Sequence, residues 1–248
     1  MEKQSVGIIG HTGRLGGLIL RELIGGSIPF VSGLHFNRSS THSLEDVFLR
    51  NDIVVEASSG SFVPEILKTA FLGKSPLIIC ATGWNKERYS NLLNDLSQRI
   101  PVIIGSNASR GSLLQARCVS QLAETLGEDF DIDISEKHHR NKSDDLSGTA
   151  YELASVMQQA KKEKFGHDYK VNTLNTGERA DKVINIRSFR SGNIFGEHEV
   201  SFIGKDEMIT VKHVAFNRRA FSLGIMNLLS ILRERTVPPG SYAFEDFY

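Results

Sequence analysis

Residues 5–16 read Ser5-Val6-Gly7-Ile8-Ile9-Gly10-His11-Thr12-Gly13-Arg14-Leu15-Gly16. A short apolar run comes first, of the kind found in a strand buried on both faces. Three glycines spaced G-x-x-G-x-x-G follow, then Leu18, Ile19, Leu20, Leu23 and Ile24 at helical spacing. Strand, glycine turn and helix in that order open a dinucleotide-binding fold. Gly10 and Gly13 would let the backbone approach a pyrophosphate, and Gly16 would let the helix lie close on the strand. The expected pyrophosphate loop is therefore Gly10, His11, Thr12, Gly13, Arg14 and Leu15.

Working outward, the next strand is expected over 30–36. In such a unit its end reads the adenosine ribose, with an acid for NAD and an arginine for the 2′-phosphate of NADP. Here the stretch is Phe36-Asn37-Arg38-Ser39-Ser40. Arg38 can form paired bonds to phosphate, so NADPH is the favoured cofactor, with NADH also admitted. Further strands are expected over 52–57, 77–80 and 102–104. They alternate with helices over 43–49 (Ser43 as N-cap, Asp46 at N3), 63–72 and 87–100. Strict alternation predicts a parallel sheet. Cys80-Ala81-Thr82 and Gly105-Ser106-Asn107-Ala108 end two of its strands and are expected to flank the nicotinamide.

After a helix over 112–126 the character changes. Residues 131–136, 183–190 and 197–202 alternate polar and apolar, and 208–214 is a further strand, so a second, antiparallel or mixed sheet is expected. Residues 166–182 read as a long loop, and a helix over 221–233 precedes a Pro-Pro-Gly tail. Between the strand at 131–136 and a helix from 149 lies Glu136-Lys137-His138-His139-Arg140-Asn141-Lys142-Ser143-Asp144-Asp145-Leu146-Ser147-Gly148-Thr149-Ala150. Four proton carriers or cations occupy five positions of it. Ser147-Gly148-Thr149 then feeds a helix, whose N-terminal N–H groups suit a carboxylate or phosphate.

Lys+Arg and Asp+Glu balance at 29 each, so charge gives no reason to expect nucleic acid or an anionic membrane as partner. Cys80 and Cys118 match neither a metal spacing nor a disulfide framework, and no residue is assigned to a metal. Nothing at the N-terminus resembles a signal sequence, and no apolar run is long enough to cross a bilayer. A soluble cytoplasmic protein is expected.

These motifs together resemble the dihydrodipicolinate reductase (4-hydroxy-tetrahydrodipicolinate reductase) family. Residues 138–150 are similar to its H-H-R-x-K-x-D-x-x-S-G-T-A signature, and residues 10–16 to its G-x-x-G-R-[ML]-G loop. Residues 190–198 are similar to its R-x-G-x-x-x-G-E-H segment, and residues 213–224 to its H-x-A-x-x-R-x-x-F-x-x-G region. The resemblance implies an α/β fold: an N-terminal Rossmann dinucleotide-binding domain and a second α+β domain built on an open mixed sheet. It places the first domain at 1–107 plus 217–248. The second, at 108–216, would serve substrate binding and oligomerisation. A homotetramer is implied, with part of 166–182 reaching a neighbour. So is reduction of (4S)-4-hydroxy-2,3,4,5-tetrahydrodipicolinate to tetrahydrodipicolinate by NAD(P)H, on the route to diaminopimelate and lysine. The chain departs from the family where Asn37 replaces a frequent acid. It departs again where Glu56-Ala57-Ser58-Ser59-Gly60 stands for D-F-T-x-P, where Cys80-Ala81-Thr82-Gly83 stands for G-T-T-G, and in a shortened 38–52 segment.

For a dicarboxylate substrate, Gly148 N–H and Thr149 are expected to hold one carboxylate, with His139 also on the substrate. Lys142 is the expected proton donor, because an ammonium can donate and also neutralise developing charge. The resemblance gives His138 a proton-transfer role. The sequence leaves open which of His138, His139 and Lys142 moves the proton. Two other classes fit the glycine loop: a non-catalytic NADP(H)-binding regulator and a semialdehyde dehydrogenase. The first would not need Lys142 beside a carboxylate-binding turn, and the second needs an activated cysteine.

Overall fold

In the computed structural model, which describes residues 3–25, 30–173 and 177–248, the apolar run becomes β1 (Gln4–Ile9), its last four residues buried. It pairs in parallel with β2 (Phe30–Ser32) and β3 (Ile53–Glu56). With β4 (Leu77–Ile79), β5 (Pro101–Ile104) and β11 (Gly240–Ala243) these make a six-stranded sheet ordered β11-β5-β4-β3-β1-β2, parallel throughout. Helices α1 (Arg14–Gly25), α2 (Leu44–Arg50), α3 (Val63–Ala70) and α4 (Ser90–Ser97) connect its first strands. The strand order reverses between β1 and β3, and ligands of such sheets bind at that reversal. The capping box expected at α2 is present: Asp46 N–H donates to Ser43 Oγ, and Ser43 N–H to the Asp46 carboxylate.

Two expectations for this sheet change. The strand expected over 30–36 stops at Ser32, with one further pairing between Ile9 and Phe36. In between, Ile8 N–H donates to His35 Nδ1 and Leu34 N–H to Asn51 Oδ1. Side chains thus take over ladder bonds that backbone would otherwise make. The tail is not a plain coil either. Gly240–Ala243 adds to the β5 edge, and a 3-10 turn, Phe244–Phe247, buries Phe244 against Gly105. A Cβ at Gly105 would lie 2.2 Å from that ring.

The chain divides into two units, Met1–Ser109 with Arg219–Tyr248, and Arg110–Arg218. α7 (Arg219–Glu234) belongs to the first, where Gly224 packs so closely that a Cβ would sit 1.6 Å from Ala108 O. The second unit holds α5 (Arg110–Thr125), β6 (Asp131–His138), α6 (Gly148–Phe165), β7 (Lys170–Asn172), β8 (Val183–Arg190), β9 (Gly196–Ile203) and β10 (Met208–Ala215). Its sheet runs β10-β9-β6-β8-β7, antiparallel on the β9–β10 side of β6 and parallel on the β8–β7 side.

One face of the second sheet buries Ile132, Ile134, Ile184, Ile186, Val200 and Phe202 against α5 and α6. The period of two along these strands sends alternate residues into that core. Lys161 of α6 is fully buried, and its ammonium donates to Leu126 O and Gly127 O at the end of α5. The loop expected over 166–182 contains β7, started by Gly166, whose φ of +74° ends α6. Residues 174–176 of that stretch lie outside the described ones. Among the described residues no helix is long and apolar enough to cross a membrane.

Candidate active site

The glycine loop works as backbone geometry. Gly10 has φ +85°, and a Cβ there would meet Ala57 O at 2.8 Å. A Cβ at Gly16 would meet Gly10 O at 2.3 Å. The first glycine thus permits the turn and the crossing to β3, and the second lets α1 close onto the turn. Beside them lies a cleft of about 780 Å³. Gly10, Thr12, Gly13, Arg14, Leu15, Arg38, Cys80, Ala81 and Thr82 line it, as do Asn37, Ser39, Ser58 and Ser59. Nine of the residues expected from sequence to hold the cofactor therefore share one wall system. Two guanidinium groups and the free N–H groups opening α1 suit a phosphate-bearing ligand.

His11 and the loop Gly105, Ser106, Asn107, Ala108 are not among the cleft's walls. His11 instead lies over His35, ring centroids 5.4 Å apart. His35 Nδ1 accepts from Ile8 N–H, so its hydrogen is on Nε2, 2.7 Å from Ser32 Oγ. Burial, followed by the neighbouring His11, pushes His35 down to about 4. Gly105 and Ala108 support Phe244 and Gly224 as described, and Asn107 Oδ1 accepts Ser109 N–H in a local turn.

Sequence reasoning gave Glu56 no role. It is fully buried at the end of β3. Its Oε1 accepts Ser58 N–H and Ser58 Oγ–H, both at 2.6 Å, and its Oε2 accepts Ala81 N–H at 3.0 Å. One carboxylate thus ties together the two loops in which the chain departs from the pattern of the family it resembles. Burial raises its pKa, against those hydrogen bonds. Cys80 beside it is also buried, and burial with the Glu56 charge pushes its thiol well above the ordinary value. Such a thiol is not an activated nucleophile, which removes the semialdehyde dehydrogenase reading as far as Cys80 is concerned.

In the second unit, β6 places Glu136 and His138 on its buried face, two residues apart. The register sets Glu136 directly between Ser188 of β8 and His198 of β9, and His138 beside Arg190. Glu136 accepts Ser188 Oγ–H at 2.7 Å and Ser147 N–H at 3.2 and 3.1 Å on its two oxygens. His198 Nε2 lies 3.5 Å from its Oε2 and 2.9 Å from Ser147 Oγ, which also accepts Ala150 N–H as the N-cap of α6. Burial opposes ionisation of Glu136, but His198, Ser147 and Ser188 outweigh it and hold the group at about 2.

His138 Nδ1 is buried without a hydrogen-bond partner, 3.8 Å from Glu136 Oε2. Burial pushes His138 down to about 4, against the pull of Glu136. At neutral pH it is an uncharged imidazole and no ready acid. His139 follows the end of β6, half-buried. Lys142 Nζ donates to Asp144 at 2.6 Å. Arg190 donates to the carbonyls of Asp144 and Asp145 and so fastens this loop to β8. Gly148 at the start of α6 faces open space, with nothing within 4 Å of where a Cβ would be. Glu136, Ser147, Ser188, Arg190 and His198 were not assigned to the site from sequence. The alternation along β6 could have paired Glu136 with His138, but no local pattern brings in β8 and β9.

The parallel sheet, its glycine loop and the cleft at its reversal define a class, the pyridine-nucleotide-dependent oxidoreductases with a separate second unit on a mixed sheet. The descriptions "Dihydrodipicolinate reductase, N-terminus" and "Dihydrodipicolinate reductase, C-terminus" match residues 4–108 and 111–248. The chain belongs to the dihydrodipicolinate reductase family. It is 39% identical over 243 residues to the 4-hydroxy-tetrahydrodipicolinate reductase of Chlamydia caviae, and 41% identical over 244 residues to that of Chlamydia abortus. Each match covers 97% of this chain and 96% of the relative. Among solved structures, the dipicolinate-bound dihydrodipicolinate reductase from Paenisporosarcina sp. TG-14 superposes with a TM-score of 0.79 at 20% identity, covering 100% of both chains. A myo-inositol dehydrogenase from Lactobacillus casei shares the fold with a TM-score of 0.65 at 12% identity, covering 100% of this chain and 91% of that one.

Proposed function

We propose that this chain reduces (4S)-4-hydroxy-2,3,4,5-tetrahydrodipicolinate to tetrahydrodipicolinate with NADPH, consuming one proton and releasing one water. The observation that carries the reading is the neighbourhood around α6. A helix start whose first residue, Gly148, faces open space follows directly on a loop bearing Lys142 and His139, with Thr149 next in the same turn. A planar dicarboxylate needs oriented N–H groups for its carboxylate and a cation that can give up a proton, and these residues supply both.

The nucleotide supplies a hydride when bound. Gly10 and Thr12 to Leu15 would hold its pyrophosphate, and Arg38 with Ser39 would take the 2′-phosphate. Cys80, Ala81 and Thr82 would flank the nicotinamide. NADH can use the same cradle without the Arg38 contact. Lys142 gives the proton, and its ion pair with Asp144 holds the side chain in place until substrate arrives. His138, neutral and buried, serves as a hydrogen-bonding wall that shares the substrate's proton network; His139 contacts the substrate. The protein works as a homotetramer in the cytoplasm, assembled through the second unit's sheet. This last reading rests on the family resemblance.

The test is turnover. Purified protein coupled to a dihydrodipicolinate synthase should oxidise NADPH. Lys142→Ala should lower kcat by about 10²–10⁴-fold while NADPH binding persists. Unchanged turnover in that variant rules Lys142 out as donor, and no oxidation of either nucleotide by the wild type favours the regulator.

A further inference from the structure

We propose that Glu136 and His198 are positioning residues for the dicarboxylate: they set the first turn of α6 at the angle at which Gly148 and Thr149 receive it. This rests on the function proposed above and goes beyond it, because neither residue has a part in that reading.

The geometry is specific. Ser147 is the residue on which the turn pivots, and it is gripped twice. Its N–H is claimed by both Glu136 oxygens, at 3.2 and 3.1 Å, and its Oγ by His198 Nε2 at 2.9 Å. The carboxylate 3.5 Å from His198 Nε2 favours a hydrogen on that nitrogen. Ser147 Oγ then accepts from both His198 and Ala150 N–H, the N-cap bond itself. Glu136 and His198 face one another across the β6–β9 register, and both are buried, at 0% and 4% exposure. Gln115 of α5 bridges the two strands beneath, donating to the carbonyls of His198 in β9 and Val211 in β10.

A helix needs only its serine to be capped. Here the cap is itself held by a charged residue and an imidazole from two strands. The next residue along, Gly148, is the one left open to a ligand. A fixed direction for the N–H groups matters to an incoming carboxylate more than to the helix, since binding is enhanced when donors need no reordering.

The experiment measures dipicolinate binding, NADPH binding and thermal unfolding in the full-length protein and three variants. Glu136→Gln keeps the shape and removes the charge, His198→Leu removes the grip on Ser147 Oγ, and His198→Gln retains a donor. Glu136→Gln and His198→Leu should weaken dipicolinate about tenfold or more while NADPH affinity stays within about twofold. In turnover they should raise KM for the dicarboxylate more than they lower kcat. His198→Gln should recover most of the loss, which a merely space-filling histidine would not show. If His198→Leu does not fold, Glu136→Gln carries the test alone. Wild-type dipicolinate affinity in the folded variants overturns the inference, as does an equal loss of dipicolinate and NADPH binding. Absence of both turnover and dipicolinate binding in the wild type would instead overturn the function on which it rests.

Discussion

Replacing Glu56 with glutamine keeps its size and removes one acceptor. Two of its three accepted bonds come from Ser58 and share Oε1, and the third comes from Ala81 N–H to Oε2. The best placement of the amide keeps its oxygen on Ser58 and turns its NH₂ toward the Ala81 N–H. Two donors then face each other in a fully buried site. An unsatisfied buried donor costs about 1–3 kcal/mol, partly offset because the variant no longer has to bury a charge. A net loss of about 1–2 kcal/mol is expected. The released element is the loop at Cys80-Ala81-Thr82, a wall of the cleft beside the glycine loop. If binding must restore that loop, NADPH affinity falls by no more than the same energy, which is about 5–30-fold. Urea unfolding and nucleotide-fluorescence titration measure the two quantities separately. Lower stability with unchanged NADPH affinity would show that Glu56 supports the sheet and not the cofactor. Wild-type values for both would refute the clamp.

Three further outcomes are expected. Arg38→Ala should raise KM for NADPH by about tenfold or more and leave NADH nearly unchanged, because a charge-assisted phosphate contact is worth roughly 1.5–3 kcal/mol; equal effects on both nucleotides would exclude a 2′-phosphate contact. Lys161→Met should destabilise by about 1–3 kcal/mol in urea without changing NADPH binding, because two carbonyls at the end of α5 lose their donor. Stability should fall on acidification from about pH 6.5 toward pH 4, since His138 and His35 are held near 4 when folded and take up protons at their ordinary 6.5 when unfolded. The contribution of His138 should be about 1 kcal/mol between pH 7 and 5, after allowing for partial screening, and thermal melts of His138→Asn should show a shallower slope. Glu136 adds to the acid loss only below about pH 4.5, because its folded value near 2 stabilises the fold above its ordinary range.

Much of the first unit was readable because its signals are local. The glycine spacing at 10–16, the apolar run before it and the capping pair Ser43 and Asp46 each lie within a few residues and specify their own geometry. The misses were of another kind. The 30–36 strand is interrupted where His35 and Asn51 side chains take bonds between Gly33 and Phe36, and those two residues are fixed by contacts distant in sequence. The tail became a strand because β5 offered an unpaired edge, which no composition of the tail announces.

In the site the division is the same. The sequence by itself determined the loop of cations, the small-residue turn and the helix that follows, since these are consecutive. Through two motifs and an arginine it singled out nine residues that the fold brings to the walls of one cleft. The tertiary structure alone decided which buried group stands behind each of them. Glu136 meets Ser188 and His198 only through the register of three strands, one partner parallel and the other antiparallel. Glu56 meets Ala81 only because β3 and β4 end side by side. A strand's side chains repeat every two residues whatever its neighbours, so periodicity says which face a residue takes. The residue opposite it depends on how strands far apart in the chain align, and that is settled by packing the whole sheet.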